Sequence, residues 1–320
     1  MRQAGRYMPS YQALRKEHSL GALFRSPKLI AEVTLLPIEE LDVDAAIIFS
    51  DILLLLETLG SVVHYPDKGA PWVETMIPLK KLHLQNKPWF DLQSALHNLE
   101  RLDYLFEGIR EAKKNLMVPL FGFCAAPFTL LCYLLDREDR KAFPNTFALL
   151  EQNPTLFKIL LDQLCELSIH YANRQIKAGI DLFQVFESSG SVLSSEQCLL
   201  YSIPYLEKIS QSISVPCISF VKGACKQIDL LKASSLQNLS FDWDLPMKSI
   251  RDHLGNEKLL QGNLDPNLLF QSEEVIEKET RSLLESMKGD PRFILNLGHG
   301  IMPGTPYEHV VKFIKVARDF

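Results

Sequence analysis

The chain has 320 residues, of which 47% are hydrophobic and 23% charged, and its net charge is −5. That is enough apolar material for a sizeable buried core, with no signature of disorder, and the acidic balance argues against nucleic acid or an anionic membrane surface as the main partner. Six cysteines at 124, 132, 165, 198, 217 and 225 make no C-x-x-C pair and have no His-x-Cys companion. This excludes a disulfide framework or a zinc ribbon and leaves buried free thiols in a reducing cytoplasm as the expectation.

The opening Met-Arg-Gln has no apolar h-region, so no secretory signal is expected. The first 25 residues set five basic side chains (Arg2, Arg6, Arg15, Lys16 and Arg25) against Glu17 alone, a local +4 that leaves −9 for the rest. A solvated basic arm is one reading. Interleaved Ala4, Gly5, Tyr7, Met8, Pro9, Tyr11 and Leu14 favour a packed site for an anionic ligand. Arg2 and Arg6 stand four apart around Gly5, and their guanidinium forks suit bidentate carboxylate binding. Structural ion pairing is the alternative for either arginine alone.

Short apolar runs, each followed by turn residues and a helical pattern, predict strands over 44–49, 117–123, 182–186, 217–221, 239–242, 259–262 and 293–297. The first run leads to Asp51, a lone acid among Ile47, Ile48, Phe49, Ile52 and Leu53. It is either a desolvated functional carboxylate or a cap for the next helix. Residues 59–84, with Gly60, Pro66, Gly69, Pro71 and Pro78, break the rhythm as a lid or rim excursion. Residues 116–135 carry no charge and match a membrane span in length, but Pro119, Gly122 and Pro127 make them strand, turn and helix. That helix carries Tyr133, a residue type more often core than catalyst. A clear amphipathic helix over 155–178 ends at Gly179. Phe186-Glu187-Ser188-Ser189-Gly190 is a strand end with a polar pair, lacking the G-x-S-x-G elbow of a hydrolase. Asn296-Leu297-Gly298-His299-Gly300 sets a histidine between glycines, where an imidazole can meet an anion or a proton.

Strands alternating with helices imply a parallel sheet. Asp51, Ser188, Lys222, Asp242, Asn263 with Asp265, and His299 all fall at or after strand ends, which describes the C-terminal face of an α/β (β/α)8 TIM-type barrel. Only seven strands are counted, and an eighth would lie just before Met1. Residues 1–320 read as one domain.

Taken together, MRQAGRYMPSY (1–11), FSDIL (49–53), GFCAAPFTL (122–130), FESSG (186–190), QGNLDP (261–266) and NLGHGIMPGTP (296–306) strongly resemble the uroporphyrinogen decarboxylase family along essentially the whole chain. The first and last strings are highly specific; FSDIL and FESSG would be weak alone. The resemblance implies a cytoplasmic homodimeric barrel that needs no metal and no organic cofactor. Its activity would be conversion of uroporphyrinogen III to coproporphyrinogen III in haem biosynthesis. Carried over by position, it puts Arg2, Gln3, Ala4, Gly5 and Arg6 on a substrate-binding loop and Asp51 on the acid that holds the pyrrole N–H groups. Tyr133 becomes the pocket tyrosine, Ser188 a pocket hydroxyl and His299 a contact for a substrate carboxylate, with Phe49, Phe123 and Phe186 as cleft walls. Asp51, Arg2 and Tyr133 are the catalytic candidates. Arg2 is cast in the family as proton donor, yet a guanidinium pKa above about 12 makes a poor general acid, and anchoring suits it better. Relatives carry a stretch before the opening motif that includes the first barrel strand. The expectation is therefore a barrel lacking that strand, through N-terminal truncation or a late start.

Three rivals remain. A corrinoid methyltransferase on the same fold needs a zinc site of His and Cys. A Schiff-base aldolase would use Lys222. A non-catalytic binding protein would keep the fold without the chemistry.

Overall fold

The computed structural model describes residues 5, 7–66, 71–74, 82, 84, 87–137 and 141–320. After β1 (Ala46–Ile47) comes a hairpin of β2 (Val62–His64) and β3 (Trp72–Glu74). Then follow β4 (Leu120–Ala125), β5 (Leu182–Glu187), β6 (Cys217–Val221), β7 (Asn238–Ser240), β8 (Leu259–Leu264) and β9 (Phe293–Leu297), with helices between them. β1 and β4 to β9 pair in chain order, all parallel, into one seven-stranded curled sheet. This is the TIM-type α/β architecture expected. β2 and β3 pair only with each other, antiparallel, inside the predicted excursion.

Every predicted strand is present, and the differences lie at the ends. β1 shrinks because the Phe49 N–H is taken by Thr34 Oγ1 at 3.0 Å instead of a ladder partner. β7 stops at Ser240, so Asp242 follows its end instead of forming it. β8 runs on through Asn263 because its pairing with β9 continues to Leu264 opposite Leu297. The uncharged stretch 116–135 divides into β4 and the helix Pro127–Leu135, as its prolines predict. Among the described residues no helix is long and apolar enough to cross a membrane.

The main core lies between the sheet and its helices. Helix Pro154–Ala178 buries Leu164, Leu167 and Tyr171 there, and five of the six cysteines are buried free thiols. β1 and β9 are the two ends of the sheet and do not pair with each other. A second core joins Tyr7, Met8 and Tyr11 to Val33 and Leu41 of helix Pro27–Leu41, to Val310 and Phe313 of helix Tyr307–Arg318, and to Leu264 and Leu297. Of the apolar residues interleaved in the basic opening, Tyr7, Met8 and Tyr11 are thus packed and Leu14 leans on them, whereas Pro9 is exposed and Ala4 lies outside the described residues. Arg318 ties the same two helices across the open side, bonding Asp42 O at 3.1 Å and Asp44 Oδ1 at 2.8 Å.

Candidate active site

Residues after β1, β5, β6, β7 and β9 gather at the C-terminal end of the sheet, the face on which barrel enzymes build their sites. Asp51 follows β1 half-buried. Its Oδ1 accepts the Leu53 N–H at 2.9 Å, turning the chain into the 3-10 helix Leu54–Leu59. That bond is an Asx turn leading into the helix, whose N-cap is Leu53 without a side-chain cap, so Asp51 does not cap the helix itself. The turn fixes one carboxylate oxygen. The surroundings are apolar and anionic together. Glu57 is pushed up by burial, against the opposing pull of Arg25 at 2.7 Å. The Tyr65 phenol is pushed far up by burial, with the Asp51 charge adding to it.

The βα turn after β4 depends on close approach. Gln175 brackets Phe123, donating to its carbonyl at 3.1 Å and accepting its N–H at 3.2 Å. A Cβ on Gly122 would stand 2.4 Å from Gln175 Oε1, so only glycine fits beneath that bracket. Ala126 N–H donates to Phe186 O at 2.9 Å, and Pro127 starts the helix that carries half-buried Tyr133. Ser188 is half-buried in the turn after β5, and the next N–H, that of Ser189, donates to Thr129 Oγ1 at 3.0 Å.

His299 follows β9, and the packing of Gly298 fixes it. A Cβ there would lie 2.8 Å from the Trp243 nitrogen of the β7 loop. The imidazole stands edge-on to both Phe220 and Trp243, 6.4 Å between centroids in each case. Phe220 meets Phe186 at 5.9 Å, and Phe186 meets Phe123 at 5.9 Å. One aromatic arc thus runs from β4 through β5 and β6 to His299. Phe49 lies outside it, stacked on Phe24 at 4.7 Å and edge-on to Tyr11 at 5.8 Å.

The structure thus joins Phe123, Phe186 and His299 into one wall. Phe220 and Trp243 belong to it and were not singled out from the sequence. Phe220 joins it only through the β5–β6 register, which sets it directly opposite Phe186. Trp243 carried no signal, because only the packing of Gly298 brings it to His299. Gly5 is buried and its carbonyl accepts the Met8 N–H at 3.0 Å. Arg2, Gln3, Ala4 and Arg6 lie outside the described residues.

Other strand-end groups have structural work. Asp242 Oδ2 accepts the Gly223 N–H at 2.6 Å, and burial pushes its carboxyl up. Asn263 donates to Asp242 O at 2.8 Å. Lys222 is exposed, unlike a Schiff-base lysine, which is desolvated or set beside another cation to lower its pKa. No cluster of three His, Cys, Asp or Glu side chains that could hold a metal ion occurs among the described residues.

The model of the family described as uroporphyrinogen decarboxylase (URO-D) matches residues 1–320. Among curated proteins, the uroporphyrinogen decarboxylase of Protochlamydia amoebophila is 39% identical over 323 residues, covering 100% of this chain and 86% of that protein. The uroporphyrinogen decarboxylase of Geobacter sulfurreducens is 36% identical, covering 98% and 92%. Among solved structures, a methyltransferase from Methanosarcina mazei superimposes with a TM-score of 0.79 at 21% identity, over 94% of this chain and 88% of that one. A B12-independent methionine synthase from Shewanella sp. W3-18-1 reaches 0.59 at 11% identity, over 92% and 87%. Likeness at such identities concerns the fold alone.

Proposed function

Because the chain belongs to the uroporphyrinogen decarboxylase family, we propose that the cleft at the C-terminal end of its sheet converts uroporphyrinogen III to coproporphyrinogen III, with Asp51 as the central group. The enzyme is a carboxy-lyase of haem biosynthesis, and residues 1–320 act as one domain.

The observation that carries this reading is the half-buried Asp51 carboxylate at the end of β1, aimed by the Leu53 N–H. Loss of CO2 from an acetate arm leaves an electron pair that needs a sink. Protonating the pyrrole makes that ring the sink. The C–C bond breaks, its electron pair moves into the cationic ring, and CO2 departs. The methylene then takes a proton to become methyl, and the ring gives up its extra proton. Each round consumes one proton and one carboxylate. Asp51 faces the positive charge as it develops, where a fixed carboxylate in a partly dry site acts most strongly. Arg2 and Arg6 anchor peripheral carboxylates and His299 meets another. Tyr133 and Ser188 supply hydroxyls to the pocket, between walls that include Phe49, Phe123 and Phe186. These residues need no metal and no organic cofactor for that sequence of steps.

We further propose a homodimer acting in the cytoplasm. The partly exposed Trp243, Leu245 and Met302, on loops after β7 and β9, support burial of this rim against a second copy. The deciding experiment incubates the pure protein with uroporphyrinogen III and resolves the products by carboxylate number. Stepwise loss down to four carboxylates is expected. Binding without CO2 release would overturn the reading in favour of a non-catalytic protein.

A further inference from the structure

The mechanism above leaves one ionisable group unused at the heart of the site's scaffold. Glu187, the last residue of β5, is fully buried. Its Oε1 accepts the Thr129 hydroxyl, and its Oε2 accepts the Ser202 hydroxyl at 3.2 Å. Thr129 Oγ1 in turn accepts the Ser189 N–H at 3.0 Å. One carboxylate therefore gathers three segments: the first turn of helix Pro127–Leu135, the turn after β5, and the start of helix Ile203–Gln211. Thr129 and Tyr133 are four apart on one helix, so they share a face. Ser188 lies between Glu187 and the Ser189 N–H that Thr129 holds.

We propose that Glu187 is a positioning residue for the decarboxylation, latching the helix that carries Tyr133 to the turn that carries Ser188. The proposal rests on the assignment of Tyr133 and Ser188 to the site. A carboxyl in this place is costly, and a group chosen only to fill space would be apolar. Its ionised form suits the latch because both oxygens accept, leaving Thr129 free to accept from Ser189 while donating to Glu187. In the acid form one oxygen becomes a donor. If it turns to Thr129, that hydroxyl receives two hydrogens and must send its own elsewhere. If it turns to Ser202, the bond there reverses.

Burial pushes the Glu187 carboxyl up to about 7, partly offset by the Thr129 and Ser202 hydroxyls. The titratable groups facing it are the thiols of Cys132 on the same helix as Thr129 and of Cys198 on helix Ser195–Tyr201. Burial raises both, Cys198 to about 11, so both are neutral when Glu187 titrates. The latch should thus be made above neutral pH and loosened below it.

The test is the pH profile of kcat and KM for uroporphyrinogen III. Wild type should lose kcat as pH falls through about 7, with KM little changed. Glu187→Gln, which mimics the acid form, should show a kcat about tenfold lower and no bend there. A wild-type bend retained in Glu187→Gln would overturn the proposal. Thr129→Val and Thr129→Ser decide the matter if Glu187→Gln fails to fold. Valine should lower kcat about tenfold and serine should restore it to within about twofold. Equal activity of the two would overturn the latch. Tyr133→Phe and Ser188→Ala serve as controls. If neither changes turnover, the site assignment fails and takes the proposal with it. If they lower turnover while Thr129→Val does not, only the latch fails.

Discussion

The imidazole of His299 and the indole of Trp243 meet edge to face, 6.4 Å between centroids and 84° between planes, although 56 positions separate them in the chain. The contact exists because Gly298 lets its backbone settle against the Trp243 main chain. With Phe220 on another side at 6.4 Å, the ring that would meet a substrate carboxylate is held by aromatic edges. Such pairs contribute about 0.5–1.5 kcal/mol beyond their buried area.

Trp243→Ala should therefore leave the fold intact and raise KM by roughly threefold to tenfold, the rate equivalent of that contribution. Gly298→Ala should do more, because its new Cβ meets backbone that cannot yield. Steady-state kinetics on both variants, with circular dichroism as the fold control, provide the check. An unchanged KM for Trp243→Ala would remove the indole from the binding wall.

Asp51→Asn keeps the shape of the side chain and its acceptor for the Leu53 N–H but removes the charge opposing the pyrrole cation. Turnover should fall by about a hundredfold or more, the usual scale for losing one preorganised electrostatic group. Thermal stability should change little. Activity within a few-fold of wild type would rule out the proposed role.

Arg6→Lys keeps the charge and loses the fork. Substrate affinity should weaken about tenfold, near the 1.4 kcal/mol scale of one charge-assisted hydrogen bond. A fall in kcat with unaltered affinity, measured by equilibrium binding of the porphyrinogen, would show that anchoring is the wrong assignment.

Glu187 also makes a prediction about stability, and its sign is opposite to that for activity. Its folded pKa is raised from 4.5 to about 7, so between those values the folded state holds more proton than the unfolded one. The stability this group contributes is fully present below its unfolded pKa and is lost as pH rises through about 7. The loss is about 3 kcal/mol as an upper figure for a fully buried carboxyl. Glu187→Gln should lack that slope. Denaturant titrations of wild type and variant from pH 5 to 8 should show the variant gaining on wild type as pH rises. A constant difference across that range would mean that Glu187 does not titrate there.

All seven sheet strands were legible in the sequence, because each is a short apolar run punctuated by turn residues and followed by a 3.6-residue period. The placement of Asp51, Ser188 and His299 after strand ends was legible for the same reason. The strand ends themselves were not. Whether β1 keeps Phe49 depends on Thr34, fifteen residues earlier, taking its N–H. Whether β8 includes Asn263 depends on register with β9. The aromatic arc from Phe123 to His299 and the convergence of Thr129, Ser202 and Ser189 on Glu187 join residues distant in the chain. Local periodicity determines which residues form an element and which of its faces is apolar. Which side chains then share a wall or a buried proton is decided by the parallel register and the close approach of loops, and those exist only once the sheet has curled.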